Sequence, residues 1–176
     1  AKVYVKVTNS WYDPKGEEEA AKTLLNMNCD VIAQHCDTVY PQTLAQEKGV
    51  YSIGYNSDMS KEAPEACLCS VIWNWSAYYT SAVQSVIDGT WDGSNYYGGM
   101  NENLVSITPI ADFAADTTQE KVNVAKQQIL SGKNGVFDGV IETNTGATVG
   151  AAGKTLEDSV ITGGINWYFK TVSVIE

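Results

Sequence analysis

Four short clusters carry most of the side chains that could recognise a small molecule: Asn9-Ser10-Trp11-Tyr12-Asp13, Gln34-His35-Cys36-Asp37, Asn56-Ser57-Asp58 and Trp73-Asn74-Trp75. They combine aromatic faces with amides and carboxylates and contain no lysine. Such a set suits a flat heteroaromatic ring, stacked on an indole and hydrogen-bonded through its ring nitrogens or attached hydroxyls. Sugar clefts use the same mixture, so the residue types leave base and sugar both open. The candidate ligand contacts are Trp11, Tyr12, Gln34, His35, Asp37, Asn56, Asp58 and Trp73. Each has a plainer explanation. Trp11 could pack on the helix that follows it, Asp37 and Asp58 could serve turns, and Asp13 is better explained as a helix cap. Trp73 and Trp75, two apart, would share one face of an extended segment, so one of them is expected to reach a ligand.

Catalysis finds little support. His35 is the only histidine, and without a second nitrogen ligand a transition-metal site is not expected. The sequence has no G-x-S-x-G elbow, P-loop, G-x-G-x-x-G or Asp-x-Asp calcium spacing. The expectation is a protein that binds rather than transforms, with no cofactor and no metal.

Charge narrows the partners. Twenty-one acidic against eleven basic residues give a formal net charge of −10, and all eleven basic residues are lysines. A chain without arginine lacks the bidentate donor on which nucleic-acid recognition relies, and a neutral ligand fits it better than an anionic one. Apolar runs are too short to span a bilayer. Cys29, Cys36, Cys67 and Cys69 show no C-x-x-C spacing; they read as small buried thiols, with a Cys29–Cys36 disulfide as the alternative. The chain starts in a strand-like segment, Ala-Lys-Val-Tyr-Val, without an initiator Met. Processing or truncation is therefore expected to have removed what came before.

The elements that must position these clusters are legible from periodicity. Residues 2–8 alternate as a strand, and 30–34, 50–55, 69–72 and 104–110 read as further strands. Helices are expected from Asp13-Pro14 onward, over 41–48, over 77–88 with Tyr79, Ala82, Val83, Val86 and Ile87 inward, and over 117–131 with Val122, Ala125 and Ile129 inward. Asn144-Thr145-Gly146 marks a hairpin between 136–142 and 147–151. At 176 residues and 44% hydrophobic, the chain is long enough for one domain with a core. Strand–helix alternation up to residue 131 predicts an α/β fold, a Rossmann-like parallel sheet with helices on both faces, followed by a C-terminal β-hairpin. Ligands of such sheets bind beyond the carboxyl ends of the strands, where the four clusters fall.

The stretches NSWYDP (9–14), CDVIAQHCD (29–37), EKGVYSIGYNSDM (47–59), CSVIWNW (69–75) and GKTLEDSVITGGINWYF (153–169) closely resemble the BMP family of basic membrane lipoproteins, which includes the PnrA-like purine nucleoside receptors. The resemblance covers essentially the whole chain. It implies one lobe of a type 1 periplasmic-binding fold, the C-terminal half of a two-lobe receptor. Residues 1–66 and 104–176 would form this lobe, and 67–103 a crossover segment belonging to the other. It also implies a lipid-anchored, extracytoplasmic receptor that hands nucleosides or related compounds to an ABC permease. Trp11 falls where the family stacks an aromatic on the base, and Asn56 or Asp58 where ribose hydroxyls are held. Trp73 replaces a lysine that contacts the sugar in nucleoside-binding members, and His35 and Asp37 replace a small, glycine-rich stretch. The missing lysine shifts the expected cargo, a purine base or nucleoside, towards a free base such as adenine or another small heterocycle, and the second departure implies a reshaped, more polar pocket. A ligand-sensing regulator of the same fold and a sugar receptor are the rival expectations. A lobe without its partner would expose an apolar interface, so self-association or domain swapping of the chain is expected.

Overall fold

The computed structural model describes residues 1–133 and 135–175. Along the chain the elements are β1 (Val3–Lys6), α1 (Pro14–Asn26), β2 (Val31–Ala33), α2 (Tyr40–Glu47), β3 (Tyr51–Asn56), β4 (Cys67–Trp73), α3 (Trp75–Ile87), β5 (Val105–Ile107), α4 (Thr118–Leu130), β6 (Asp138–Glu142), β7 (Thr148–Thr155), α5 (Asp158–Gly163) and β8 (Val172–Ile175). They divide into a larger unit, residues 8–130, and a smaller one, residues 1–7 with 131 onward.

The larger unit is mixed α/β. Its sheet has the order β2-β3-β4-β5. β2, β3 and β4 run parallel, with Ala33 opposite Ile53 and Asn56 opposite Ile72. α1 and α2 pack on each other and on this part of the sheet. The start of α1 follows from local chemistry. Pro14 needs no amide partner in the first turn, and the Asp13 carboxylate accepts from Gly16 N at 3.0 Å. The helix stops where Asn28 turns left-handed (φ 59°), with Cys29 N donating to Leu24 O at 3.3 Å and Asn28 N to Leu25 O at 3.0 Å. Asparagine tolerates that backbone better than other side chains with a Cβ.

Three features depart from the sequence reading. β1 does not join the sheet; it pairs in parallel with β8, Val5 opposite Val174, in the smaller unit. Alternation makes it a strand but cannot choose its neighbour, and the apolar tail supplies one. β5 runs antiparallel to β4, Trp73 opposite Val105. The chain between them returns to the edge it left, fastened by Asn74 N donating to Leu104 O at 2.8 Å. Finally, the apolar faces of α3 and α4 are not inward: neither helix has a buried residue, and Ile87 is 72% exposed. Periodicity reports that a face is apolar; it does not supply the surface that covers it.

In the smaller unit β6 and β7 form the expected hairpin around Asn144-Thr145-Gly146, with Thr143 N donating to Ala147 O at 2.8 Å. β7 extends to Thr155, past the anticipated end, because Gly150 lets the strands close up. A Cβ there would lie 2.2 Å from Gly139 O. All four cysteines are free thiols; Cys67 is buried and the other three half-buried. Among the described residues no helix is long and apolar enough to cross a membrane.

Ser70, at the centre of β4, ties three segments of the larger unit together. Thr108 N donates to Ser70 O and Ser70 N to Thr108 Oγ1, both at 2.9 Å, while Met59 N donates to Ser70 Oγ at 3.0 Å. Gly54 lies against this lock: a Cβ would meet Ser70 Oγ at 2.4 Å and Met59 Cβ at 3.0 Å. Gly54→Ala is expected to lower unfolding free energy by about 1–3 kcal/mol through overpacking. Asp13→Ala should remove about 1 kcal/mol by uncapping α1. Urea denaturation of the two variants beside the parent checks both values.

Candidate functional site

Because β2, β3 and β4 are parallel, their carboxyl ends deliver residues 34–37, 56–58 and 73–75 to one edge. Residues 9–13 reach the first of these segments through Asp37 N, which donates to Trp11 O at 2.9 Å. An aromatic cluster forms around the single histidine. The His35 ring stands edge-on to Trp11 at 5.3 Å between centroids and edge-on to Tyr55 at 4.4 Å, both at 80°. These are favourable quadrupole geometries. Trp11 is nevertheless 60% exposed, which leaves ring surface for a planar ligand. Beside the cluster, Asn56 Nδ2 points to Asp37 Oδ1 at 3.5 Å, a long and weak contact between two exposed side chains. Asn56 holds a left-handed backbone (φ 71°) at the end of β3, which turns the chain sharply just past Tyr55.

The structure thus brings Trp11, His35, Asp37 and Asn56 together. The other candidates are placed differently. Gln34 is committed to its own loop: its amide nitrogen donates to Cys36 O at 2.8 Å and Thr38 O at 2.7 Å, and its oxygen accepts from Gln42 Nε2 at 2.6 Å. Gln42, fully buried, also donates to Ile53 O at 3.1 Å. Asp58 holds a turn, accepting from Ser60 N at 3.0 Å; the Ser60 hydrogen bonds keep its carboxyl below the usual range. Tyr12 is 69% exposed, with its amide on Ser10 Oγ at 3.3 Å. Trp73 belongs to a second aromatic group. It stacks on Trp75 at 5.4 Å and 22°, and Trp75 stacks on Tyr79 at 5.8 Å. The two tryptophans do not share an extended segment, because α3 begins at Trp75, two residues earlier than periodicity suggests.

Two members of the site escaped the sequence reading. Tyr55 had a visible signal, an aromatic at the penultimate residue of a strand whose end was already a candidate. Glu17 had none beyond its place in the first turn of α1. It is 1% exposed. Its Oε1 accepts from Asp13 N at 3.1 Å, and its Oε2 accepts from Thr38 N at 3.1 Å and Thr38 Oγ1 at 2.7 Å. The Cys36 thiol lies beside it. Burial, and then the hydrogen bond to Glu17, push that thiol up to about 12, so it stays protonated at neutral pH. Among the described residues no three His, Cys, Asp or Glu side chains converge as a metal site.

An exposed indole, an imidazole edge, a carboxylate and an amide thus gather at the carboxyl ends of parallel strands. Comparison with known proteins identifies the family. The family model for PnrA-like ABC transporter substrate-binding proteins matches residues 1–136. A purine-binding protein of Brucella abortus is 34% identical over 95% of this chain and 47% of its own length. A Haloferax volcanii protein assigned as an ABC transporter glucose-binding protein is 31% identical over 77% of this chain and 34% of its own. The chain thus spans less than half the length of these relatives. Solved structures share the fold at low identity. A transcriptional activator of the comK gene from Bacillus halodurans aligns with TM-score 0.61 at 21% identity, over 69% of this chain and 44% of its own. A solute-binding protein from Aeropyrum pernix aligns at 0.57 and 20%, over 72% and 45%. The chain belongs to the Bmp family of PnrA-like ABC transporter substrate-binding proteins.

Proposed function

We propose that this chain is the ligand-binding lobe of an extracytoplasmic receptor that captures a purine and presents it to an ABC permease. The observation that carries this reading is the exposed Trp11 ring braced by His35 and Tyr55, with Asp37 and Asn56 beside it. Trp11 would take the purine face, and Asp37 and Asn56 its hydrogen-bonding edge. Asp37 offers acceptors and Asn56 both kinds of group, a pattern that suits the amino and ring-nitrogen edge of adenine. Tyr12, Trp73 and Asp58 lie near enough in sequence and strand order to contribute contacts once a second lobe closes. Gln34 would act through the loop it ties. Support also comes from the Brucella relative, whose name is that of a purine-binding protein.

In the full-length protein we assign residues 67–103 to the passage between lobes, and 1–66 with 104–176 to the ligand-binding lobe. The uncovered stripe of α3 (Trp75, Tyr79, Val83, Val86 and Ile87) is the face that a second lobe would bury. Without that lobe the stripe favours self-association or swapping. A lipid anchor ahead of the receptor would keep it at the membrane. A sugar receptor is the second reading, favoured by the Haloferax relative and by the shared chemistry of aromatic clefts. A ligand-sensing regulator of the same fold is a third, suggested by the fold of the Bacillus activator alone.

Tryptophan fluorescence of the full-length protein, titrated with adenine, adenosine, guanine, guanosine and glucose, separates these readings. Adenine should quench at micromolar concentration or below. Trp11→Ala should weaken binding by roughly tenfold or more, the scale of a lost aromatic stack and its burial. Asp37→Ala should weaken adenine, whose exocyclic amino group would lose an acceptor. A response to glucose with silence towards every purine would transfer the cargo assignment to sugar.

A further inference from the structure

We infer that Glu17, which touches no candidate ligand atom, is the positioning residue that sets the width of the binding edge. The inference rests on the ligand site proposed above. Its basis is the placement of the donors around one buried carboxylate. Oε1 takes the amide of Asp13, two residues beyond Trp11; Oε2 takes both the amide and the hydroxyl of Thr38, one residue beyond Asp37. The stacking residue and the polar contact therefore hang from opposite oxygens of one side chain. The direct bond from Asp37 N to Trp11 O, at 2.9 Å, joins the same two segments a second time. Three hydrogen bonds converge on an acceptor that is 1% exposed, an arrangement that tolerates neither a shorter side chain nor a donor in its place. Helix capping alone would not need it. The Asp13 carboxylate already caps Gly16 N, whereas both bonds to Thr38 cross 21 residues of sequence.

Glu17→Gln tests this in the full-length protein, because it keeps the volume and turns one acceptor oxygen into a donor that must face Asp13 N or Thr38. Adenine affinity should fall by roughly tenfold or more, measured far below the unfolding midpoint so that every molecule is folded. Thr38→Val, which removes one donor, should show a smaller loss, and Thr38→Ser, which restores the hydroxyl, should bind like the parent. Ala21→Gly loosens the same helix one turn further on without touching the clasp, and should leave the affinity unchanged. A second readout needs no ligand. In Glu17→Gln, hydrogen exchange of residues 8–13 and 35–39 should accelerate together, and Cys36 should become open to iodoacetamide at pH 8. Parent-like affinity in Glu17→Gln, or parent-like exchange in both segments, overturns the inference. A parent that binds no purine, with exchange accelerated in the variant, would sink the purine assignment and leave the positioning role standing.

Discussion

A carboxylate removed from water must find donors, and where it finds them decides what it holds together. Glu17 finds three hydrogen bonds, one from Asp13 and two from Thr38, 21 residues further along the chain, so the first turn of α1 and the loop after β2 cannot move independently. A second polar anchor lies one layer deeper. Gln42, with no exposed surface, joins α2 to the β3 backbone at Ile53 and to Gln34, whose own amide gathers the carbonyls of Cys36 and Thr38. Loop 34–38 is therefore fixed from both ends by buried side chains, while its outward residues, His35 and Asp37, stay exposed. Rigid support beneath and free groups above are what selective binding needs, since ordering done in folding is not charged again on ligand capture.

The distribution of charge and apolar surface fits the same division of labour. From Ala66 to Ile87 there is no ionisable acid or base apart from Cys67, Cys69, Tyr78 and Tyr79, in a chain of net charge −10. This stretch holds β4, central to the sheet, and α3, which has no buried residue. Apolar composition in a buried strand is explained by the sheet around it. In an uncovered helix it is explained only by another surface, which agrees with a chain that spans less than half the length of its relatives.

Much of the fold was legible because the deciding chemistry is local. Asp13-Pro14 announced α1, Asn144-Thr145-Gly146 announced the hairpin, and the run from 50 to 55 announced β3 within a residue at each end. What escaped depends on distant partners. The direction of β5 is set by the path through α3, and β1 takes its partner from the tail. The site divides along the same line. Aromatics and acids after strands could be found by position, and Trp11, His35, Asp37 and Asn56 do come together. Yet the sequence cannot say that the Gln34 amide is consumed by its own loop, or that Glu17 serves Thr38 rather than only its helix. Both facts depend on loop geometry that exists only once the sheet has formed.

The reversal at β5 bears on how such a receptor can change. Residues 74 and 104 are joined by a backbone hydrogen bond at the carboxyl end of β4, so everything between them leaves the sheet and comes back to the same place. Neither partner of the Glu17 clasp, Asp13 or Thr38, lies in that excursion. Sequence change in the Gly- and Asn-rich return loop is therefore separable from the segments that hold Trp11 and Asp37, whereas α3 itself stays constrained by its exposed apolar stripe.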